Sequence, residues 1–409
     1  MKRNLMDKLI SWKNSNSYIP LIINGMKGVG KTRLMFDFAT ENYNSHLYFN
    51  FETDKNVAHL FSNDMETTKT KICDYFNSDI SFDTTLLILD EFTHSQNAID
   101  FIEAIKDTCG DYNLNVISAY SYRTDTDDVF LSLNGIYLTL YPLTFDEYLS
   151  ATGNEWYRET IQEHFESNKP LPDIVHNELL DLFNEYIYIG GFPDAINEYL
   201  VNKSFININE RHHVLINYIL MNINSVVEPG QYLKLINLFE TIPKQLMKEN
   251  KKFKYSLIRK GATNKIYEKE LCLLNNIGLI NMCRKLDNPS DFKAYLCDAG
   301  VLFSLAKGEY NEVFLESLIE NYTCQTLIAN GYLVEYWESK SQAKIQFLVK
   351  KNGQYQPIEV KNSDITRSKN YSIFKEHYPT CLDLIKVSTK NFSYNKKTKY
   401  IPIYAVFCI

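Results

Sequence analysis

No stretch of this chain approaches the run of about eighteen apolar residues that a bilayer-crossing helix needs. Its opening MKRNLMDKLISWKNS breaks the apolar pattern with Asp7, Lys8 and Lys13, unlike a secretory leader, so a cytoplasmic protein is expected. There is no C-x-x-C pair among the eight cysteines (73, 109, 272, 283, 297, 324, 381 and 408), and no histidine stands near one at metal spacing. That excludes a zinc framework by pattern and leaves free, mostly buried thiols as the expectation. Positive charge is also short: 43 Lys and Arg face 50 Asp and Glu, a formal net charge of −7. Any nucleic acid would have to be held by a local patch. What is present, 45% hydrophobic and 23% charged residues over 409 positions, is the composition of a globular protein. The length allows roughly two to three domains.

The most informative stretch runs from Tyr18 to Thr40, YIPLIINGMKGVGKTRLMFDFAT. An apolar run, a Gly25-x-x-x-x-Gly30-Lys31-Thr32 segment, and Leu34, Phe36 and Phe38 at helical spacing predict strand, loop and helix, the context of a phosphate-binding P-loop. Glycines let the backbone curl so that N–H groups face phosphate oxygens, and the helix N-terminus adds its positive dipole end. Gly25, Lys27, Gly28, Val29, Gly30, Lys31, Thr32 and Arg33 are the expected nucleotide contacts, with Lys31 reaching the β- and γ-phosphates and the Thr32 hydroxyl on Mg²⁺.

Leu47 to Phe51 reads as the next strand, and Leu86-Leu87-Ile88-Leu89 as a buried strand closing on Asp90-Glu91. Asp90 is expected to hold Mg²⁺, directly or through water, and Glu91 to polarise the attacking water. A kinase acting on a small molecule needs no such carboxylate, so Glu91 favours ATP hydrolysis. Val116-Ile117-Ser118 reads as a further strand with Ser118 placed to touch the γ-phosphate or the water, and Ile136 to Leu140 as a fifth. Alternating short strands and helices predict an α/β fold with a parallel sheet and the nucleotide at the carboxyl ends of its strands.

Leu140-Tyr-Pro-Leu-Thr-Phe-Asp-Glu-Tyr148 resembles the PL(S/T)F-x-E(Y/F) segment of bacterial and archaeal AAA-type ATPases whose C-terminal domain has long been labelled as one of unknown function. Gly190-Gly191-Phe192-Pro193, the run from Phe292 to Gly300 (FKAYLCDAG) and Ile358-Glu359-Val360-Lys361 match further segments of that family, in order and over most of the chain. The chain departs from the pattern at Met26 and Lys27, where the family carries an arginine, and at Gly135-Ile136, where it has Gly-Arg. An arginine finger can raise hydrolysis by several orders of magnitude, and Arg123 is a candidate substitute.

Residues 145–227 are rich in helical spacing and read as a helical lid or extension, with His212-His213 on a solvated face. From Lys244 to Lys260, seven basic residues (Lys244, Lys248, Lys251, Lys252, Lys254, Arg259, Lys260) face Glu249 alone. Thr263 is a fair N-cap for a helix carrying Ile266, Tyr267, Leu271 and Leu274 on one face and stopped by Gly278. Helix, glycine and strand fit a winged-helix unit, as the resemblance also implies, and Asn264, Lys265 and Lys269 could face DNA. A protein-docking wing fits equally well.

Asn352-Gly353 between two alternating runs signals a two-residue type I′ hairpin. That register sets Gln346 opposite Glu359 and Lys344 opposite Lys361 on one face, with Ile345, Phe347, Ile358 and Val360 on the other. The segment resembles the PD-(D/E)xK nucleases, and the resemblance implies a metal site built from Glu320, Glu359, Lys361 and an acid at the position of Gln346. Glutamine offers Mg²⁺ only a neutral carbonyl, so cleavage is not expected.

The expectation is thus a P-loop NTPase parallel sheet (1–150), a helical lid or extension (151–230), a winged-helix-like domain (231–305) and a small α/β nuclease-like domain (306–409). Its activity would be Mg²⁺-dependent ATP hydrolysis that moves the attached module, with DNA as partner through Lys244–Lys269. The alternatives are a slowly hydrolysing nucleotide switch or adaptor that binds a protein partner, and a metal-dependent nuclease, with a homo-oligomer or protein as candidate partner.

Overall fold

The computed structural model describes residues 1–15, 19–107, 114–121, 133, 135–306, 311–339, 343–361 and 369–409. The chain divides into two compact units, Lys2–Tyr141 and Pro142–Ile409, the latter joined by Met1.

Among its described residues the first unit contains α1 (Met6–Asn14), β1 (Leu21–Asn24), α2 (Lys31–Asn42), β2 (Ser45–Asn50), α3 (Met65–Phe76), β3 (Thr85–Asp90), α4 (Gln96–Asp107), β4 (Asn115–Tyr120) and β5 (Ile136–Thr139). The strands form one parallel sheet in the order β2-β3-β4-β1-β5. Parallel pairing requires long crossovers, which the helices supply, and covers both sheet faces. Hence β3, TLLILD, is buried at every position. Leu87, Leu89, Val116 and Phe49 pack with Phe61, Phe92 and Phe101 in the core, each contributing on the order of 1.5–3 kcal/mol by leaving water. Parallelism has a further consequence: Asn24, Asn50, Asp90, Tyr120 and Thr139 all end strands at one edge.

The second unit begins with helices α5 (Phe145–Ala151), α6 (Glu155–Ser167), α7 (Asp173–Ile189), α8 (Pro193–Asn202) and α9 (Phe205–Asn224), the stretch expected to be helical. It continues with α10 (Pro229–Phe239), α11 (Thr241–Leu246), α12 (Asn264–Asn276), β6 (Ile280–Lys285), β7 (Asn288–Leu296), α13 (Ala299–Leu305), α14 (Glu312–Ala329), β8 (Glu335–Glu338), β9 (Lys344–Lys351), β10 (Gln354–Val360), α15 (Asn370–His377), β11 (Leu384–Ser388), β12 (Ser393–Asn395) and β13 (Thr398–Pro402). The described strands make one sheet in the order β12-β13-β11-β10-β9-β8-β6-β7. The β6–β7 hairpin joins it through Arg284 against Glu335 and Lys285 against Tyr336, so strands on both sides of residue 305 share one sheet. Thr263 does precede α12, although its hydroxyl makes no capping bond.

Asn352 and Gly353 have φ of 51° and 81°, as a type I′ turn requires. The ladder runs from Gln354 opposite Lys351 to Ile358 opposite Phe347, the expected register.

Three motif stretches meet inside this unit. The Leu143 N–H donates to Gly191 O at 2.7 Å, and the Gly191 N–H donates to Asp298 Oδ2 at 2.8 Å. Asp298 Oδ1 accepts the Val301 N–H at 3.1 Å, capping α13. A Cβ on Gly190 would stand 2.0 Å from Asp298 Oδ1, and one on Gly191 2.2 Å from Leu143 O. These glycines are therefore needed for close approach. Burial pushes the Asp298 carboxyl up to about 6, against the opposing hydrogen bonds.

His212 departs from the expected solvated face. It is buried, with Nδ1 2.7 Å from Ser304 Oγ, and burial lowers its imidazole to about 4. The Ser304 partner comes from α13, ninety-two residues away, which helical spacing along α9 could not disclose.

Candidate functional site

The loop between β1 and α2 lies at the carboxyl edge of the first unit's sheet. Gly28 and Gly30 have φ of 86° and 97°, in the left-handed region that favours glycine. Gly25 is needed for a different reason: a Cβ there would stand 2.3 Å from Leu140 O. Helix α2 starts at Lys31, so its unpaired N–H groups and positive dipole end face the loop.

Lys31 is 5% exposed. Its Nζ donates to Gly25 O at 2.9 Å and to Ser121 Oγ at 2.9 Å. Burial lowers its ammonium below the ordinary lysine value, and the nearby Glu91 and Asp90 oppose that shift. The Thr32 hydroxyl donates to Asp90 Oδ2 at 2.7 Å, and the Tyr48 hydroxyl donates to the same oxygen at 3.0 Å. Burial, aided by the Asp90 charge, pushes the Tyr48 phenol up to about 12. Asp90 Oδ1 and Asn24 Oδ1 are buried without a hydrogen-bond partner among the described residues. A hydroxyl, a carboxylate and an unsatisfied buried carboxylate oxygen are hard donors of the kind Mg²⁺ takes, so Thr32 and Asp90 fit that ion.

Glu91 follows β3 with φ of 52°, a conformation uncommon for a non-glycine residue and enriched at functional sites. Its Oε2 accepts the Ser121 N–H at 3.0 Å, and its Oε1 accepts the Ser121 hydroxyl. Ser121 therefore joins Lys31 to Glu91 at the strand edge where sequence reasoning expected Ser118 to touch the γ-phosphate or the water. Ser118 instead sits inside β4, fully buried, with its hydroxyl 3.3 Å from Leu21 O. The available signal was position: Ser121 is the first residue past β4, where side chains reach the sheet edge.

Other expected contacts are more dispersed. Lys27 Nζ lies 2.6 Å from Glu52 Oε1. Arg33 is 80% exposed and pairs with Asp37 at 2.7 Å one helical turn on. Val29 is buried. Arg123 lies outside the described residues.

In the second unit Glu320 is buried on α14, with Lys251 Nζ at 3.2 Å and the Tyr295 hydroxyl at 3.1 Å. Burial alone would raise its carboxyl, but Lys293 and Lys251, with hydrogen bonds from Lys251 and Tyr295, hold it below the ordinary glutamate value. Glu359 is buried on β10 with Lys386 Nζ at 3.4 Å. Gln346 Nε2 donates to Val360 O at 3.2 Å, and the Lys361 N–H donates to Val387 O at 2.9 Å. Among the described residues, no group of three or more His, Cys, Asp or Glu could hold a metal ion. In the set Glu320, Gln346, Glu359 and Lys361 one member is a neutral amide and each carboxylate has a lysine partner.

The basic stretch divides in the same way. Lys251 is buried against Glu320 and Lys252 pairs with Asp291 at 2.6 Å. Lys244, Lys248, Lys254, Arg259, Lys260, Asn264, Lys265 and Lys269 are exposed. Among the described residues no helix is long and apolar enough to cross a membrane.

A family profile described as an AAA domain matches residues 17–149, and two described as domains of unknown function, DUF8612 and DUF4143, match 180–312 and 315–406. An uncharacterized protein of Methanocaldococcus jannaschii is 25% identical over 318 residues, 73% of this chain and 65% of that protein. The chain thus spans just under two thirds of that relative's length. The Walker-type ATPase of Pyrococcus abyssi aligns with a TM-score of 0.46 at 14% identity over 74% of this chain and 95% of that one. PCH-2 of C. elegans aligns with a TM-score of 0.22 at 15% identity over 38% of this chain and 43% of the other. Residues 17–149 thus carry an AAA-type P-loop domain.

Proposed function

We propose that this chain hydrolyses ATP in a Mg²⁺-dependent reaction at the edge formed by β1, β3 and β4, and uses the nucleotide state to move its C-terminal unit. The observation that carries this reading is the convergence of Lys31, Thr32, Asp90 and Glu91 at one strand edge, with Ser121 between Lys31 and Glu91 and a direct Thr32–Asp90 hydrogen bond. Thr32 and Asp90 would hold Mg²⁺, which when bound neutralises charge developing on the phosphates. Gly25 to Thr32 would bind the phosphates, with Lys31 turned from Gly25 O toward them. Glu91 would orient and polarise the attacking water, and Ser121 would hold the Glu91 carboxylate in position. Ser118 supports the strand rather than the phosphate. The remaining positive charge at the γ-phosphate would come from an arginine of a second copy, which makes ATP-dependent self-association part of the reading. Binding and turnover of Mg-ATP by Lys31→Ala and Glu91→Gln test it, with binding lost in the first and turnover alone lost in the second.

For the C-terminal unit we read α12 with the β6–β7 hairpin as a winged-helix-like element and β8 to β11 with α14 as a nuclease-like frame that does not cut. DNA, held by the exposed part of Lys244–Lys269, is the partner this reading favours. The engagement of Lys251 and Lys252 in ion pairs supports a second reading, a nucleotide switch whose wing binds protein. Strong stimulation of hydrolysis by DNA at low salt favours the first, and no stimulation favours the second.

A further inference from the structure

We propose that Arg3 is a positioning residue for the nucleotide loop: it sets the direction of the Gly30 N–H and ties the loop to Leu140-Tyr141, where the first unit ends. The inference rests on the reading that this loop binds ATP. It concerns a residue outside the P-loop pattern and outside the residues 17–149 matched to the AAA domain.

Arg3 is 9% exposed, in the turn before α1. Its Nη1 donates to Val29 O at 2.7 Å and its Nη2 to Tyr141 O at 2.5 Å. The planar guanidinium presents both donors in a fixed fork, so one side chain fixes two carbonyls together. The Val29 carbonyl and the Gly30 N–H belong to one planar trans peptide and point in opposite directions. Holding Val29 O from one side therefore aims the Gly30 N–H to the other, the side that a phosphate-binding loop requires. Gly30, at φ of 97°, has the conformational freedom to turn that peptide over if the carbonyl is released.

The second contact gives the arrangement a direction along the chain. Leu140 N–H donates to Asn24 O at 2.8 Å, and Leu140 O crowds the place a Gly25 side chain would take. Arg3 closes the loop's far end onto Tyr141. Residues 24, 25 and 29 thus all rest, directly or through Arg3, on the two residues before Pro142, where the second unit begins. Helix α1 holds Arg3 in place: Leu9 and Trp12 are buried, the Trp12 ring lies 6.1 Å from Phe38 of α2, and Lys13 donates to Asn42 O at the other end of α2. A change at Val29 on phosphate binding would reach Tyr141 through this guanidinium, beside the direct contacts of Asn24 and Gly25 with Leu140.

The test uses the full chain with Arg3→Ala, Arg3→Gln and Arg3→Lys. Steady-state hydrolysis should show KM for Mg-ATP raised about tenfold in Arg3→Ala, as loss of a buried charged hydrogen bond allows, with kcat within threefold. Arg3→Gln and Arg3→Lys, each able to reach one carbonyl, should fall between it and the parent. Hydrogen exchange should be faster over residues 26–34 in Arg3→Ala, and the slowing at residues 138–144 that Mg-ATP causes in the parent should be lost. If Arg3→Ala does not fold, the glutamine and lysine variants carry the test. Parental KM and exchange in the folded variants would overturn the inference. If the parent itself binds no Mg-ATP, the ATPase reading fails instead, and exchange at residues 26–34 still decides whether Arg3 sets the loop.

Discussion

Thr32 and Asp90 stand fifty-eight residues apart in sequence and are joined by a 2.7 Å hydrogen bond between the threonine hydroxyl and the aspartate Oδ2. One opens the helix after the glycine loop and the other ends the buried strand β3. Their contact leaves Asp90 Oδ1 buried and unsatisfied among the described residues, which a hard cation would relieve. Replacing Asp90 with Asn should weaken Mg-ATP binding more than metal-free ATP binding. Titrations with and without excess EDTA measure the two, and equal losses would contradict a metal role.

Ser121 and Ser118 should separate function from packing. Ser121→Ala removes the hydroxyl between Lys31 and Glu91 and should lower kcat by about 10- to 100-fold, as loss of a positioning contact can. Ser118→Ala removes a buried bond to Leu21 O and should cost about 1 kcal/mol of stability with turnover within threefold. Turnover assays and melting curves on both variants check the contrast.

Gly190→Ala should destabilise the C-terminal unit by about 3 kcal/mol or more, because it combines φ of 76° with a Cβ 2.0 Å from Asp298 Oδ1. Limited proteolysis should then open residues 142–409 before residues 2–141. A parental melting profile would contradict the close-approach role.

Asp298 and His212 should give opposite pH slopes. The Asp298 carboxyl, raised to about 6 when folded, binds a proton more tightly in the native state, so its contribution is complete below about pH 4 and is lost as pH rises through 6. His212, lowered to about 4, is neutral in the folded chain, so its contribution is present above about pH 6.5 and is lost as pH falls through 4. Melting temperature followed from pH 4 to 7 should show Asp298→Asn gaining on the parent as pH rises. His212→Gln should gain on the parent as pH falls. The window is worth on the order of 3 kcal/mol for each group at most.

The exposed lysines of the 244–269 stretch should act as phosphate contacts. The affinity of the chain for duplex DNA should fall linearly with the logarithm of salt, and Lys265→Ala with Lys269→Ala should reduce the slope by about two. A salt-independent affinity would remove DNA from the account.

The five described strands of the first unit, the glycine loop and the hairpin register at Asn352-Gly353 were legible in the sequence because each is a local pattern: a buried run, a fixed glycine spacing, a turn dipeptide. The misplacements share one cause, partners distant along the chain. Ser118 and Ser121 differ by three positions, and only the end of β4 decides which reaches Glu91. Lys251 belongs to a basic run by composition, yet Glu320, sixty-nine residues on, draws it inside. Ser304 does the same for His212, and Arg3 has no sequence signal because its acceptors are backbone carbonyls at 29 and 141.

The central claim is that Glu91 activates water at a site that binds Mg-ATP through Lys31 and Thr32. Its most direct test is a paired measurement on Glu91→Gln: equilibrium binding of Mg-ATP and phosphate release under single turnover. The account predicts affinity within about threefold of the parent and phosphate release slowed by at least about 100-fold. Phosphate release at the parental rate would contradict it.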